Sequence, residues 1–164
     1  LHHVNVRATY VLSRTAIPYL LESGGGHIVT HSPPLRPDYV DKMLSGKGMS
    51  NKVAYMSSKM GMSLVTMALA QECKNQGIGC NTIWPSTPIK SQAVINHNLG
   101  QPKHWREPAI IGDAILEVLK QDPHNYSGKS FTDEEYLRHL SGMDDFSHYQ
   151  CVPGHEPPRL EDIL

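Results

Sequence analysis

The sequence predicts an α/β protein whose strands lie parallel, with helices packed on the faces of the sheet. Three observations carry that prediction. Segments with helical spacing of apolar residues alternate with short β-branched runs, in the order helix, strand, helix, strand, helix, strand. Glycines and prolines stand at the joints between them. No run is long enough to be a continuous apolar helix or repetitive enough to be a solenoid. Strands joined through helices return to one sheet by right-handed crossovers, so the alternation implies part of a doubly wound sheet.

Each element follows from local signals. From Val4 to Leu21 the apolar residues Val4, Val11, Leu12, Ala16, Leu20 and Leu21 recur mostly at three- and four-residue steps, which predicts an amphipathic helix. Ser23-Gly24-Gly25-Gly26 ends it, since glycine is favoured past a helix C-cap. His27-Ile28-Val29-Thr30-His31 is a short strand, stopped by Pro33-Pro34, which cannot donate to a ladder. Residues 35 to 50 are expected to form a loop. A long helix should run from about Asn51 to Asn75, with Met56, Met60, Leu64, Met67, Ala68 and Gln71 along one side. Ile78 to Trp84 is a buried strand closed by Pro85. Residues 86 to 106 form a mixed loop with one short helix. Pro108 opens a helix over 108 to 120, a position where proline fits. Gly128 to Thr132 makes a third strand. The body is therefore expected over residues 1–140, followed by a polar, proline-containing tail over 141–164.

Composition narrows the function. Fifteen basic and sixteen acidic residues nearly cancel, and no basic stripe offers itself to nucleic acid. No apolar run approaches the ~20 residues of a bilayer span, so no membrane span is expected. Three cysteines, Cys73, Cys80 and Cys151, form neither a metal knuckle nor a disulfide framework, which points to a reducing, intracellular compartment. Ten histidines include no HExxH and no His/Cys group with zinc spacing, so no metal is expected. The chain opens on Leu1 inside a helix with no visible leader, which is read as an N-terminal region missing from this sequence.

Tyr55 and Lys59 are the first candidates for chemistry. At i and i+4 they share a helix face and can reach one site. A free phenol titrates near 10, too high to exchange protons readily at neutral pH. A fixed ammonium nearby favours phenolate, and a drop of about two units corresponds to about 2.7 kcal/mol. Such a pair makes a general acid/base for an alcohol or carbonyl oxygen.

Around this pair stand landmarks in a fixed order. Asn5-Val6-Arg7-Ala8-Thr9 opens the first helix, and Gly24-Gly25-Gly26-His27-Ile28-Val29 enters the first strand, with Ser32 just past it. Tyr55-x-x-x-Lys59 follows, and then Asn81-Thr82-Ile83-Trp84-Pro85. In this order they resemble the short-chain dehydrogenase/reductase family, over nearly the whole chain to about residue 135. Two runs, His31-Ser32-Pro33-Pro34-Leu35 and Ile83-Trp84-Pro85-Ser86-Thr87-Pro88-Ile89, are similar to its hydroxysteroid dehydrogenase-like members.

The resemblance implies a Rossmann-type doubly wound sheet, with residues 1–140 as its C-terminal, catalytic part and the N-terminal half missing. It implies an oxidoreductase interconverting an alcohol and a carbonyl with NADP or NAD as cofactor. Tyr55 would exchange a proton with the substrate oxygen. Lys59 would lower the tyrosine's pKa and hydrogen-bond the nicotinamide ribose, and Asn5 would hold a water of a proton relay. Pro85, Ser86, Thr87 and Ile89 would border the nicotinamide, while the hydride chemistry belongs to the cofactor. The kinship further implies a small-molecule, lipid-like substrate among the candidates and a peroxisomal or mitochondrial location. It also implies a homo-oligomer paired through helices 1–22 and 51–75, with Met56, Met60, Leu64 and Met67 as candidate interface.

Departures keep other readings open. The family's usual catalytic serine is the second of a Ser-Ser pair, and Pro33 stands there; Ser32 either reaches the substrate oxygen or only forms the turn. Ser86 and Ala8 replace common glycines. No GxGxxG phosphate turn occurs, and Gly24-Gly25-Gly26 precedes a strand instead of opening a helix. The main alternative is a catalytically inactive, truncated dehydrogenase fold serving as a structural or interaction subunit. A serine hydrolase built on Ser32 lacks the Gly-x-Ser-x-Gly elbow, and His31 should point to the opposite strand face.

Overall fold

The computed structural model describes residues 1–45 and 52–163. The expected alternation is present. A π-helical turn, His3–Arg7, leads into α1 (Ala8–Glu22), then β1 (Gly26–His31), α2 (Pro37–Ser45), α3 (Val53–Glu72) and β2 (Ile78–Trp84). The short α4 (Gln92–Asn96) precedes α5 (Ala109–Leu119), β3 (Ser130–Thr132), α6 (Asp133–Ser141) and α7 (Leu160–Ile163). The three strands form one parallel sheet in the order β1-β2-β3.

All seven residues of β2 are buried, as expected of a parallel strand covered on both faces. Its alternation sorts them. Ile78 and Cys80 pack with Leu69, Ala70 and Cys73 of the α3 end. Ile83 faces the other way, against Ile110, Ala114, Val118, Tyr136 and Leu137 of α5 and α6. Asn81, also fully buried, accepts from Lys129 N at 2.9 Å and donates to Tyr126 O at 3.1 Å, which fixes the chain entering β3. Among the described residues β1 pairs only with β2, so its outer edge is free.

The helices expected over 4–21, 51–75 and 108–120 are present, α6 was not foreseen, and two of the expected helices bury a different face. In α1 the buried residues are Thr9 and Ser13, while Val11, Leu12 and Leu21 are exposed, as is Val4 in the turn before it. In α3 the buried set is Met56, Ser58, Ser63, Thr66, Leu69 and Ala70, and Leu64 is 62% exposed. Close approach explains both: small side chains let α3 lie against the sheet and α1. Ser63 donates to Pro33 O at 2.6 Å, and Thr66 meets Thr30 at 2.8 Å. Gly61 eases the approach of α3 to the turn before α1, since a Cβ there would fall 2.6 Å from Val6 Cγ2 and displace that side chain.

Two loop expectations are also corrected. Residues 37–45 of the expected 35–50 loop are helical, because Tyr39 and Met43, four apart, bury themselves against Met56 and Trp84; residues 46–51, including the expected helix start at Asn51, lie outside the described residues. The segment 141–164 is polar in composition but not a free tail. Phe146 and Tyr149 join the core on the α5 side, and Leu160 packs against the Tyr39 cluster.

A charged cluster ties that segment down. Arg106, 1% exposed, pairs with Glu134 and with Glu156, the latter at 2.5 Å, and its guanidinium lies 5.3 Å from the centre of the Phe146 ring. Arg159 and Arg138 reach the other Glu134 oxygen at 2.6 and 3.3 Å. Removing one member of a buried ion pair costs about 3–5 kcal/mol because its partner stays charged and dry. Glu134→Leu leaves Arg106 facing only the exposed Glu156 carboxylate, so it is expected to lower stability by about 3 kcal/mol in urea unfolding. A loss under about 1 kcal/mol would show that the remaining partners carry the guanidinium without Glu134.

Candidate active site

In open α/β sheets the chemistry gathers outside the carboxyl ends of the strands. Here those ends are His31-Ser32 after β1, Trp84 to Thr87 after β2 and Thr132-Asp133 after β3. The Tyr55 turn of α3 stands beside the first two. Tyr55 is 39% exposed, and partial burial pushes its phenol up from the ordinary value. Lys59, one turn later, donates from Nζ to His31 O at 3.0 Å and lies 5.8 Å from the centre of the Trp84 ring. Burial pushes the Lys59 ammonium down. The sequence expectation was a phenol lowered by this lysine. In the structure desolvation raises the phenol, while the ammonium is engaged by the end of β1.

Asn5 belongs to the same neighbourhood. It sits in the π-helical turn, a local widening often found at functional sites. Its Nδ2 donates to Ser58 Oγ at 2.9 Å, and Ser58 Oγ donates to Tyr55 O at 2.7 Å. Asn5 is thus linked to the tyrosine's own turn, through two helices held close by Gly61. Ser32 is different. It is fully buried, its N–H donates to Ile83 O at 3.0 Å, and its hydroxyl meets Thr30 Oγ1 at 3.2 Å. Thr30 continues through Thr66 to Met62 O, so the Ser32 hydroxyl ends a chain running under α3.

The segment after β2 is built for polar contact. Ser86 and Thr87 are buried; the Ser86 side chain lies against the Asp133 carboxyl, while among the described residues the Thr87 hydroxyl has no partner. A buried hydroxyl is rarely left so, and a polar ligand lying along Pro85 to Ile89 fits it. Ser86 N donates to Asp133 Oδ1 at 2.8 Å, which pins the turn where the family has glycine. Asp133 is buried at the start of α6, and desolvation pushes its carboxyl up. Ile89 is held by a bridge to Arg106. Sequence alone gives Asp133, His31 and Trp84 no role in this site. The legible signals were an acidic residue opening a helix straight after a strand, and a histidine and a tryptophan each ending one. Among the described residues no group of three His, Cys, Asp or Glu could hold a metal ion, and no helix is long and apolar enough to cross a membrane.

A parallel sheet with a Tyr-x-x-x-Lys helix beside its carboxyl ends defines the class. The chain belongs to the short chain dehydrogenase family, whose model matches residues 1–100. Among curated proteins it is similar to hydroxysteroid dehydrogenase-like protein 2. The Xenopus tropicalis protein is 36% identical over 162 residues, covering 98% of this chain and 36% of the relative. The Homo sapiens protein is 35% identical over 156 residues, covering 93% and 34%. Among solved structures, a dehydrogenase from Xanthomonas campestris matches with a TM-score of 0.81 at 31% identity, over 96% of this chain and 55% of that one. A short chain dehydrogenase from Mycobacterium thermoresistibile matches with 0.79 at 34%, over 98% and 54%. The chain thus spans about a third of the curated relatives and about half of the solved ones.

The site generates one pH prediction. His31 keeps an exposed face at the end of β1, and the partial desolvation of its imidazole together with repulsion by the Lys59 ammonium pushes it down, toward about 4. Between about 4 and the ordinary histidine value near 6.5, the folded form then binds fewer protons than the unfolded one, so stability falls as pH drops through that window. His31→Asn is expected to flatten this acid-side loss in melting curves recorded from pH 7 to 4. An unchanged difference between variant and parent across the window would place the His31 titration at its ordinary value.

Proposed function

We propose that this chain carries the acid–base half of an NAD(P)-dependent oxidoreductase that interconverts an alcohol and a carbonyl. One observation carries the proposal: Tyr55 and Lys59 stand one turn apart beside the carboxyl ends of β1 and β2, with Lys59 Nζ already docked at His31 O. A phenol raised by burial is protonated at neutral pH, the form needed to give a proton to a carbonyl oxygen. In the reverse direction Tyr55 takes the alcohol proton, and the Lys59 ammonium lowers the cost of the phenolate. Asn5, tied through Ser58 to the Tyr55 turn, is assigned the water that returns the proton to solvent. The fixed geometry of Ser32 favours a role in shaping the turn before Pro33. The backbone and hydroxyls of Pro85 to Ile89 would hold the nicotinamide, which supplies or accepts the hydride when bound. NADP is preferred over NAD by kinship; a short chain dehydrogenase from Shigella flexneri of the same fold was solved with NADP.

A non-catalytic role as a structural subunit has one observation in its favour: Pro33 replaces the serine, and Ser32 is engaged elsewhere. Fluorescence titration with NADPH and NADH separates the two. Binding is expected for a protein in which these residues are joined to a dinucleotide phosphate turn, and Tyr55→Phe should lower its turnover by about 10²–10⁴-fold. No binding by that protein would favour the structural subunit.

The exposed side chains of α1 and α3 support a homo-oligomer. Leu12, Tyr19 and Leu64 are all largely exposed on these helices, with Val4 in the turn before α1, whereas Met56, expected at an interface, is buried within the chain. Light scattering across a concentration series is expected to show a dimer or larger, shifted toward monomer by Leu64→Glu. A monomer throughout the series would dismiss the interface.

A further inference from the structure

The proposed chemistry needs Lys59 to be in the right place, and the structure shows what holds it. A flexible four-carbon stem does not fix an ammonium by itself. Two groups do so here. The His31 carbonyl accepts from Nζ at 3.0 Å, and the Trp84 ring lies beneath the same atom with its centre 5.8 Å away. That distance is within the range at which a cation is attracted to an indole face.

Trp84 is suited to be a fixed plate. It ends the fully buried β2, is 3% exposed, and is packed by Tyr39, Met43 and Met56 from α2 and α3. The His31 ring lies against it at a tilt of 38°, with ring centres 5.3 Å apart. A protonated imidazole there would compete with Lys59 for the indole and repel it. The lowered His31 pKa keeps that ring neutral at neutral pH, so it does not compete with the ammonium for the indole. Lys59, His31 and Trp84 come from α3, β1 and β2, so the seat exists only when these three elements are packed.

We propose that Trp84 is a positioning residue for Lys59, its indole face and the His31 carbonyl forming the seat from which the ammonium serves Tyr55. This rests on the acid–base reading of Tyr55 and Lys59. In this assignment Trp84 acts through the lysine, which its ring faces, and not on the reacting atoms. Without the plate the ammonium spends more time in solvent, the phenolate of Tyr55 is less favoured, and the tyrosine titrates higher.

Two measurements on the protein carrying that phosphate turn test this. In the oxidation direction, Trp84→Leu is expected to lower kcat roughly three- to fivefold, the fold-change of a lost exposed cation–π contact. The ascending limb of its pH profile should move up by about half a unit, with substrate KM within about twofold of the parent. Trp84→Phe, which keeps an aromatic face, should recover most of the limb. The second measurement is independent of turnover. These residues hold two tryptophans, Trp84 and Trp105, so 5-fluorotryptophan labelling places one ¹⁹F resonance at each, assigned by its loss in Trp84→Phe and Trp105→Phe. Lys59→Met should shift the Trp84 resonance and leave that of Trp105 in place. An unmoved Trp84 resonance, or a Trp84→Leu protein that loses activity with its pH limb unmoved, overturns the seat and reduces Trp84 to packing. Activity that survives Tyr55→Phe sinks the acid–base reading itself, and with it the catalytic meaning of the seat, even where the resonance shifts.

Discussion

The rest of the structure depends on the burial of β2. A strand from which water is excluded on both faces must have both backbone edges paired and both side-chain faces covered, because each unpaired buried amide or carbonyl costs about 1–3 kcal/mol. β1 and β3 supply the edges. The α3 end covers Ile78 and Cys80, and α5 with α6 covers Ile83. Once β2 is placed, the points where the three strands end are placed too, and those ends are where His31, Trp84, Ser86 and Asp133 stand.

That constraint explains the polar lining of α3. A helix packed over a buried strand can come close only with small residues beneath it, and Ser58, Ser63 and Thr66 meet that need. Each hydroxyl then requires a partner, found in Tyr55 O, Pro33 O and Thr30. Packing and site geometry are therefore the same set of bonds. The hydroxyls that let α3 approach the sheet also fix the turn bearing Tyr55 and the turn after β1. Asn5 joins through Ser58, and Gly61 leaves room for its helix.

The far side of the site is held by charge. Arg106 comes from the loop between α4 and α5, Glu134 from α6, and Glu156 and Arg159 from the C-terminal segment. This cluster lies next to the turn after β2: Arg106 N donates to Pro88 O at 2.9 Å, and Leu160 N donates to Ser86 O at 2.8 Å. The residues assigned to the nicotinamide are thus fixed from beneath by Asp133 and from outside by the last residues of the chain. A composition that marks 141–164 as polar is compatible with this, because the segment contributes charges and a few aromatic anchors.

The sequence by itself determined the alternation of elements, the three parallel strands, the Tyr55 and Lys59 pair and the family, because each rests on local signals: periodicity, glycine and proline at the joints, and a four-residue spacing. It could not decide which face of α1 and α3 is buried, since small polar residues make the close contact and hydrophobicity points the other way. Nor could it show α2, whose Tyr39 and Met43 are apolar anchors in an otherwise polar, proline-led stretch. The seat of Lys59 was decided only by tertiary structure. Its parts, His31, Lys59 and Trp84, are far apart in sequence and meet only because β1 and β2 are in register, His31 opposite Ile83, while α3 crosses their ends.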